Sequence, residues 1–203
     1  MKDICIKYRV TEEEYLDLNK EYGRLCWTAA HDLKRKNSRN NYTDDAEDIY
    51  QNLVEAMLRA GSYYKRQVYI EKCLELAMKA TGVTVATDDD GKVTVTHAGN
   101  DLVGWIVGEL VVLWSNRTRH GANRQKFGKF QEQLLDRIVR KVVPARYRPR
   151  RTERLRMDSK FGTYCKAIVW NSQKSMGKRI TREKSIRTGL VSLSEFDHIT
   201  GSI

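Results

Sequence analysis

FGTYCKAIVWNSQKSMGKR, residues 161–179, reads as a helix with two unlike faces. Phe161, Tyr164, Cys165, Ile168, Val169, Ser172 and Met176 recur at helical spacing and form one buried face. Lys166, Trp170, Lys174 and Lys178 stand four apart and share another stripe. Lysines at that spacing repel, so the stripe does nothing for helix stability. A polyphosphate beside it relieves the repulsion and releases counterions. An indole among the lysines offers an unpaired base a stacking surface, worth roughly 1–3 kcal/mol. The bland alternative packs Trp170 beneath another helix and leaves the lysines as a solvated face. The adjoining arginine-rich run, 146–156, tips the reading toward nucleic acid.

Working outward, the charge of the whole chain is lopsided. Its 203 residues carry a formal +11. Residues 117–187 hold 22 Lys and Arg against 5 Asp and Glu, net +17, while the rest holds 15 against 21, net −6. A polycationic third beside a mildly acidic remainder implies a polyanionic partner, with nucleic acid ahead of an anionic membrane. Hydrophobic residues make up 40% and prolines number two, which fits a globular, helix-rich chain. Cys5, Cys26, Cys73 and Cys165 contain no C-x-x-C pair, so neither a zinc site nor a redox motif is expected. Three of them fall on apolar helix faces and read as buried free thiols. No metal or other cofactor is implied. The start is charged and only briefly apolar, so no signal peptide is read there. LVGWIVGELVVLW, 102–114, is too short to span a membrane and reads as a core helix. A cytoplasmic location is expected.

The pattern gives a mainly α chain with one small β-hairpin. Thr11 and Glu14 form a capping box that opens the first helix, whose apolar face runs Tyr15, Leu18, Tyr22, Leu25, Cys26, Ala29, Leu33. KRKNSRNN, 34–41, reads as a linker. A second helix, 44–60, starts among carboxylates and buries Ala46, Ile49, Leu53, Ala56, Met57 and Ala60. Gly61 is expected to end it, and a third helix covers roughly 63–80. VTVATDDDGKVTVT, 83–96, alternates on both sides of Asp-Gly and predicts a hairpin. A fourth helix covers 102–114. A fifth, about 128–143, has Phe130, Leu134, Ile138 and Val142 inward. The expected divisions are a helical unit 1–82, the hairpin 83–98, a basic helical unit 99–187 and a tail 188–203.

Phe161-Gly162-Thr163-Tyr164-Cys165 resembles the F-S-T-Y-A signature of bacterial sigma factors, in the helix that reads and melts the minus-ten promoter element. Gln131-Glu132, opening an amphipathic run, is similar to the Q-E of the preceding sigma helix, which docks on RNA polymerase. Asp45-Ala46-Glu47-Asp48-Ile49-Tyr50-Gln51 resembles the D-A-E-D-L-x-Q of small sigma factors, again on a docking helix. The likeness is nearest to the short, basic late-transcription sigma factors of large bacteriophages. There are departures. Two tryptophans of the sigma pattern fall at Ala167 and Ile168, its Gln falls at Asn171, and Trp170 stands where Arg is usual. No minus-thirty-five reader is evident at the carboxyl end.

The resemblance implies a multi-helix bundle like the second region of sigma factors, with the hairpin as an insertion. Either two sigma-like units lie in tandem or one unit is broken by that insertion. It implies a transcription initiation factor, phage-encoded and working in the bacterial cytoplasm, that binds core RNA polymerase and melts promoter DNA, without catalysis. The expected nucleic-acid contacts are Arg146, Arg148, Arg150, Arg151, Arg154, Arg156, Lys160, Tyr164, Lys166, Trp170, Asn171, Lys174, Lys178 and Arg179. The expected polymerase contacts are Asp45, Glu47, Asp48, Gln51, Gln131, Glu132 and Asp136. Leu193 and Phe196 sit in a tail similar to peptides that bind sliding clamps, a partner that a co-activator could replace. The alternative is a basic helical DNA- or RNA-binding accessory protein with no polymerase partner. A nuclease would need clustered acids. Glu132 and Asp136 share a helix face, but the nearby Arg137 and Arg140 favour ion pairing.

Overall fold

The computed structural model describes residues 4, 7–37, 45–87, 93–97, 101–116, 127–155 and 157–200. In the last helix it describes side chains to residue 179 and at residue 182. The chain is mainly helical, with one two-stranded antiparallel hairpin, as the patterning predicts. The elements are α1 (Glu12–Asn37), α2 (Ala46–Thr81), β1 (Thr84–Thr87), β2 (Val93–Thr96), α3 (Leu102–Asn116), α4 (Lys129–Val142), a 3-10 turn (Ala145–Tyr147) and α5 (Ser159–Thr200). The aspartate-rich hairpin tip, the basic loop 117–126, Cys5 and Arg156 lie outside the described residues.

Two compact units form, and their boundaries differ from those expected. One comprises residues 1–64 and 154–203, the other 65–153. The first is therefore built from two separated stretches of the chain, and the second, which carries the hairpin, is inserted into it.

Among the described residues, the first unit is built chiefly from α1, the opening half of α2, and α5. The Thr11 N–H donates to Glu14 Oε2 at 2.7 Å and the Glu14 N–H to Thr11 Oγ1 at 3.3 Å, so the expected capping box starts α1. α2 runs antiparallel to α1, with Lys34 against Asp45 at one end and Gly61 beside Leu18 at the other. Leu18, Tyr22, Cys26 and Leu33 of α1 are buried with Ile49, Leu53, Met57 and Tyr64 of α2 and with Phe161, Cys165 and Val169 of α5. The Tyr22 and Tyr64 rings lie 6.1 and 5.0 Å from the Phe161 ring.

Gly61 does not end a helix. The expected second and third helices are one, α2, of 36 residues. A Cβ at Gly61 would come 2.9 Å from Val10 Cγ2 and 3.5 Å from Leu155 Cδ2. The glycine is there so that two chain segments can approach α2.

The second unit packs Ile70, Cys73, Leu74 and Ala77 of α2 against Val107, Leu110, Val111 and Trp114 of α3 and Leu135, Ile138 and Val139 of α4. The hairpin pairs Val85 with Val95 and turns that face to the core, with the threonines outward. It lies close on α3 because Gly108 has no side chain: a Cβ there would stand 2.6 Å from His97 Cε1. α4 is rotated from its expected orientation. Leu135 and Val139 are buried, Leu134 and Val142 only partly, and Phe130 is 70% exposed. The carboxylate of Glu132 takes an inward place on that face.

Candidate nucleic-acid and protein interfaces

The exposed arc of α5 belongs to the first unit. Its start is fixed by Asp158, which caps the helix by accepting the Phe161 N–H at 2.8 Å and also accepts the Tyr64 hydroxyl at 3.0 Å. The Phe161 amide, then the Tyr64 hydroxyl and Lys160, hold this carboxyl below the usual range. Its spacing to Phe161 is a cap signal that the sequence reading passed over. With the helix so phased, Phe161, Cys165 and Val169 are buried, and Gln173 donates to the Ala29 carbonyl at 2.8 Å.

What remains outside is the basic stripe. Lys160, Lys166, Asn171, Lys174, Lys178 and Arg179 are exposed, and Trp170 is 60% exposed. Lys174 Nζ stands 5.3 Å from the centroid of the Trp170 ring. Tyr164 is partly buried, with its ring 6.0 Å from that of Tyr64. Of the two aromatics expected to stack on a base, Trp170 is the more exposed. The backbone of α5 continues through Gly189 to Thr200, so residues 188–200 are helical and not a separate tail. The side chains of Leu193 and Phe196 lie outside the described residues.

At the start of α2 the D-A-E-D-I-Y-Q stretch divides in the same way. Ala46 and Ile49 are buried, while Asp45, Glu47, Asp48 and Gln51 are exposed. Asp48 accepts the Asp45 N–H, and Lys34 binds the Asp45 carboxylate and holds its pKa down. Tyr50 donates to Asn19 Oδ1 at 2.8 Å and meets Trp27 edge-on at 5.2 Å. Beside them lies an open groove lined by Asn19, Gly23, Arg24, Trp27 and Tyr50.

The other expected docking residues are in the second unit and serve its interior. Gln131 accepts the Gly128 N–H and caps α4. Glu132 is 5% exposed, and Arg66 Nε donates to it at 2.8 Å. Asp136 accepts from the Tyr69 hydroxyl and from Arg151. A carboxylate so buried and paired cannot leave its partner cheaply: breaking such a pair costs about 3–5 kcal/mol. As a docking surface, Glu132 and Asp136 are therefore withdrawn, and the clustered acids a nuclease would need are engaged by arginines.

The arginine run is divided too. In the second unit Arg148 donates to the Arg140 and Val143 carbonyls, Arg151 is bound to Asp136, and Arg146 and Arg150 are exposed. In the first, Arg154 pairs with Asp17 at 2.8 Å. Next to it the Leu155 N–H donates to Glu14, and the Leu155 side chain is buried.

Cys26, Cys73 and Cys165 are buried free thiols, as expected; burial pushes them up to about 11, about 11 and about 12. Among the described residues no group of His, Cys, Asp or Glu could hold a metal ion, and no helix is long and apolar enough to cross a membrane. Comparison with protein-family models, curated proteins and solved structures returned no match.

Proposed function

We propose that the chain is a sigma-like transcription initiation factor of the reduced, phage-encoded kind. It docks on core RNA polymerase through the exposed residues of the α2 start, Glu47 and Gln51 foremost, and holds melted promoter DNA on the exposed arc of α5. The lysines neutralise phosphates, and Trp170 stacks on an unpaired base. The work is binding and not catalysis. One observation carries the reading. Two of the three stretches that bear the resemblance, 45–51 and 161–165, stand far apart in the sequence yet belong to one compact unit, with their apolar residues inside that unit and their polar residues outside, while Gln131-Glu132 falls in the other unit. This favours one interrupted unit over a tandem. Gln131, Glu132 and Asp136 have no part in it.

The test is a pull-down of bacterial core RNA polymerase. Wild type retains polymerase, and Glu47→Ala/Gln51→Ala loses it while still binding DNA. Trp170→Ala keeps polymerase and binds single-stranded promoter DNA about 5- to 150-fold more weakly, with a smaller loss on duplex. Salt-dependent DNA binding with no polymerase retained would leave the second reading, a helical nucleic-acid-binding accessory protein.

A further inference from the structure

We infer that the inserted unit carries a second nucleic-acid grip of its own, which holds the phosphate backbone of duplex DNA. Its cations are Arg137, Arg140 and Lys141 on α4 and Arg146 and Arg150 on the segment after it. All five are exposed. Arg137 lies three and four residues before Arg140 and Lys141, so the three share one helix face. The following segment is folded back on the last turn of α4 by Arg148, whose guanidinium donates to the carbonyls of Val143 at 2.8 Å and Arg140 at 2.5 Å. This bond pair satisfies carbonyls that the helix end leaves open and places positive charge at the negative end of its dipole. Pro144 and Pro149 restrict the backbone on either side of the 3-10 turn. Arg148 is thus a positioning residue, and Arg146 and Arg150 are held in the neighbourhood of Arg140 before any ligand arrives.

The charge is uncompensated. Between Gln133 and Thr152 the only acid is Asp136, and it is already bound by Arg151 and Tyr69. Arg66–Glu132, Lys72–Glu153 and Arg151–Asp136 are ion pairs of this unit, and none of the three uses the five cations. Four of the five are arginines, the side chain whose planar fork suits phosphate oxygens. Tyr147 is exposed, with the Arg146 guanidinium 4.6 Å from its ring centroid, which stiffens that arginine further. A preorganised, arginine-dominated surface fits a regular phosphate array better than a fluid anionic one. This grip depends neither on the α5 arc nor on a polymerase partner.

The experiment measures binding of the full chain to a duplex DNA oligonucleotide between about 50 and 200 mM salt. The comparison is with Arg137→Gln/Arg140→Gln/Arg146→Gln/Arg150→Gln. The slope of log K against log salt should shrink in magnitude by about 3 to 4, at about 0.9 per phosphate contact. The same four positions changed to Lys should keep most of the slope, and Trp170→Ala should leave it unchanged. If the fourfold Gln variant is unfolded by circular dichroism, Arg137→Gln/Arg140→Gln and Arg146→Gln/Arg150→Gln should each remove about 2. An unchanged slope in folded variants overturns the inference. So does loss of binding to phosphatidylserine vesicles with duplex binding intact, which would make the surface a lipid one.

Discussion

Glu14 does two things with one carboxylate, and does them almost out of reach of water. It closes the capping box of α1, it accepts the backbone N–H of Leu155, and it does so at 2% exposure. The capping box was legible from Thr11 and Glu14 alone, because its bonds are local. The bond to Leu155 was not, because nothing at position 155 advertises an acceptor near the other end of the chain. Removing the carboxylate strands two backbone donors, each worth about 1–3 kcal/mol when buried and unpaired. Glu14→Ala should therefore lower stability by about 2–4 kcal/mol in a urea titration, and Glu14→Gln by about half as much. An Ala variant within about 0.5 kcal/mol of wild type would mean that water replaces the side chain there. Trp170 shows the opposite kind of legibility. Its stripe was readable from spacing, but only packing decides whether an indole faces a helix or solvent.

Helix existence was legible from periodicity, but helix ends and rotations were less so. Gly61 illustrates why. A glycine within an apolar pattern signals either a stop or a close approach, and sequence alone does not separate the two. Here α2 continues through it and Val10 fills the space. Gly61→Ala gains up to about 1 kcal/mol of helix propensity but forces a β-branched neighbour to move, at about 1–3 kcal/mol. The expected result is a net fall in melting temperature. Combined with Val10→Ala, the same change should cost less, with a coupling of about 1 kcal/mol or more in the double-mutant cycle. Additive effects would show that the approach of Val10 is not what requires the glycine. The rotation of α4 has a related cause. Phe130 looked like a core residue by hydrophobicity, yet the helix turns Glu132 inward because Arg66 is there to receive it.

At the scale of the molecule, the expected boundaries fall at the two edges of the hairpin, 82/83 and 98/99, and before the tail, 187/188. The compact units divide at 64/65 and 153/154, inside a helix and inside an arginine-rich run. Neither place carries a linker signature, so composition could not mark them. The ends of the insertion leave the first unit from neighbouring places. Gly61 lies beside Leu155, and the Tyr64 hydroxyl bonds to Asp158. Replacing residues 65–153 by a short Gly/Ser linker should leave a chain that unfolds cooperatively and still binds single-stranded DNA in a Trp170-dependent way. Its salt slope on duplex should be at least as shallow as that of the fourfold Gln variant, because Lys141 is removed as well. A product with no cooperative transition would mean that the insertion supplies stability that the first unit lacks.

Building one unit from two separated stretches of a chain also sets an order of events during synthesis. The inserted unit has all its residues before α5 exists, and domains fold as units while the chain emerges from the ribosome. The first unit must wait. Its α1 and α2 halves hold an open seat for Phe161, Cys165 and Val169 until translation delivers them, and loop closure across the insertion then completes the core. A nascent chain stalled before α5 would thus expose apolar surface on α1 and α2 and make a natural client for chaperones. The lysine–tryptophan stripe would become available to a polyanion only after the inserted unit has been made.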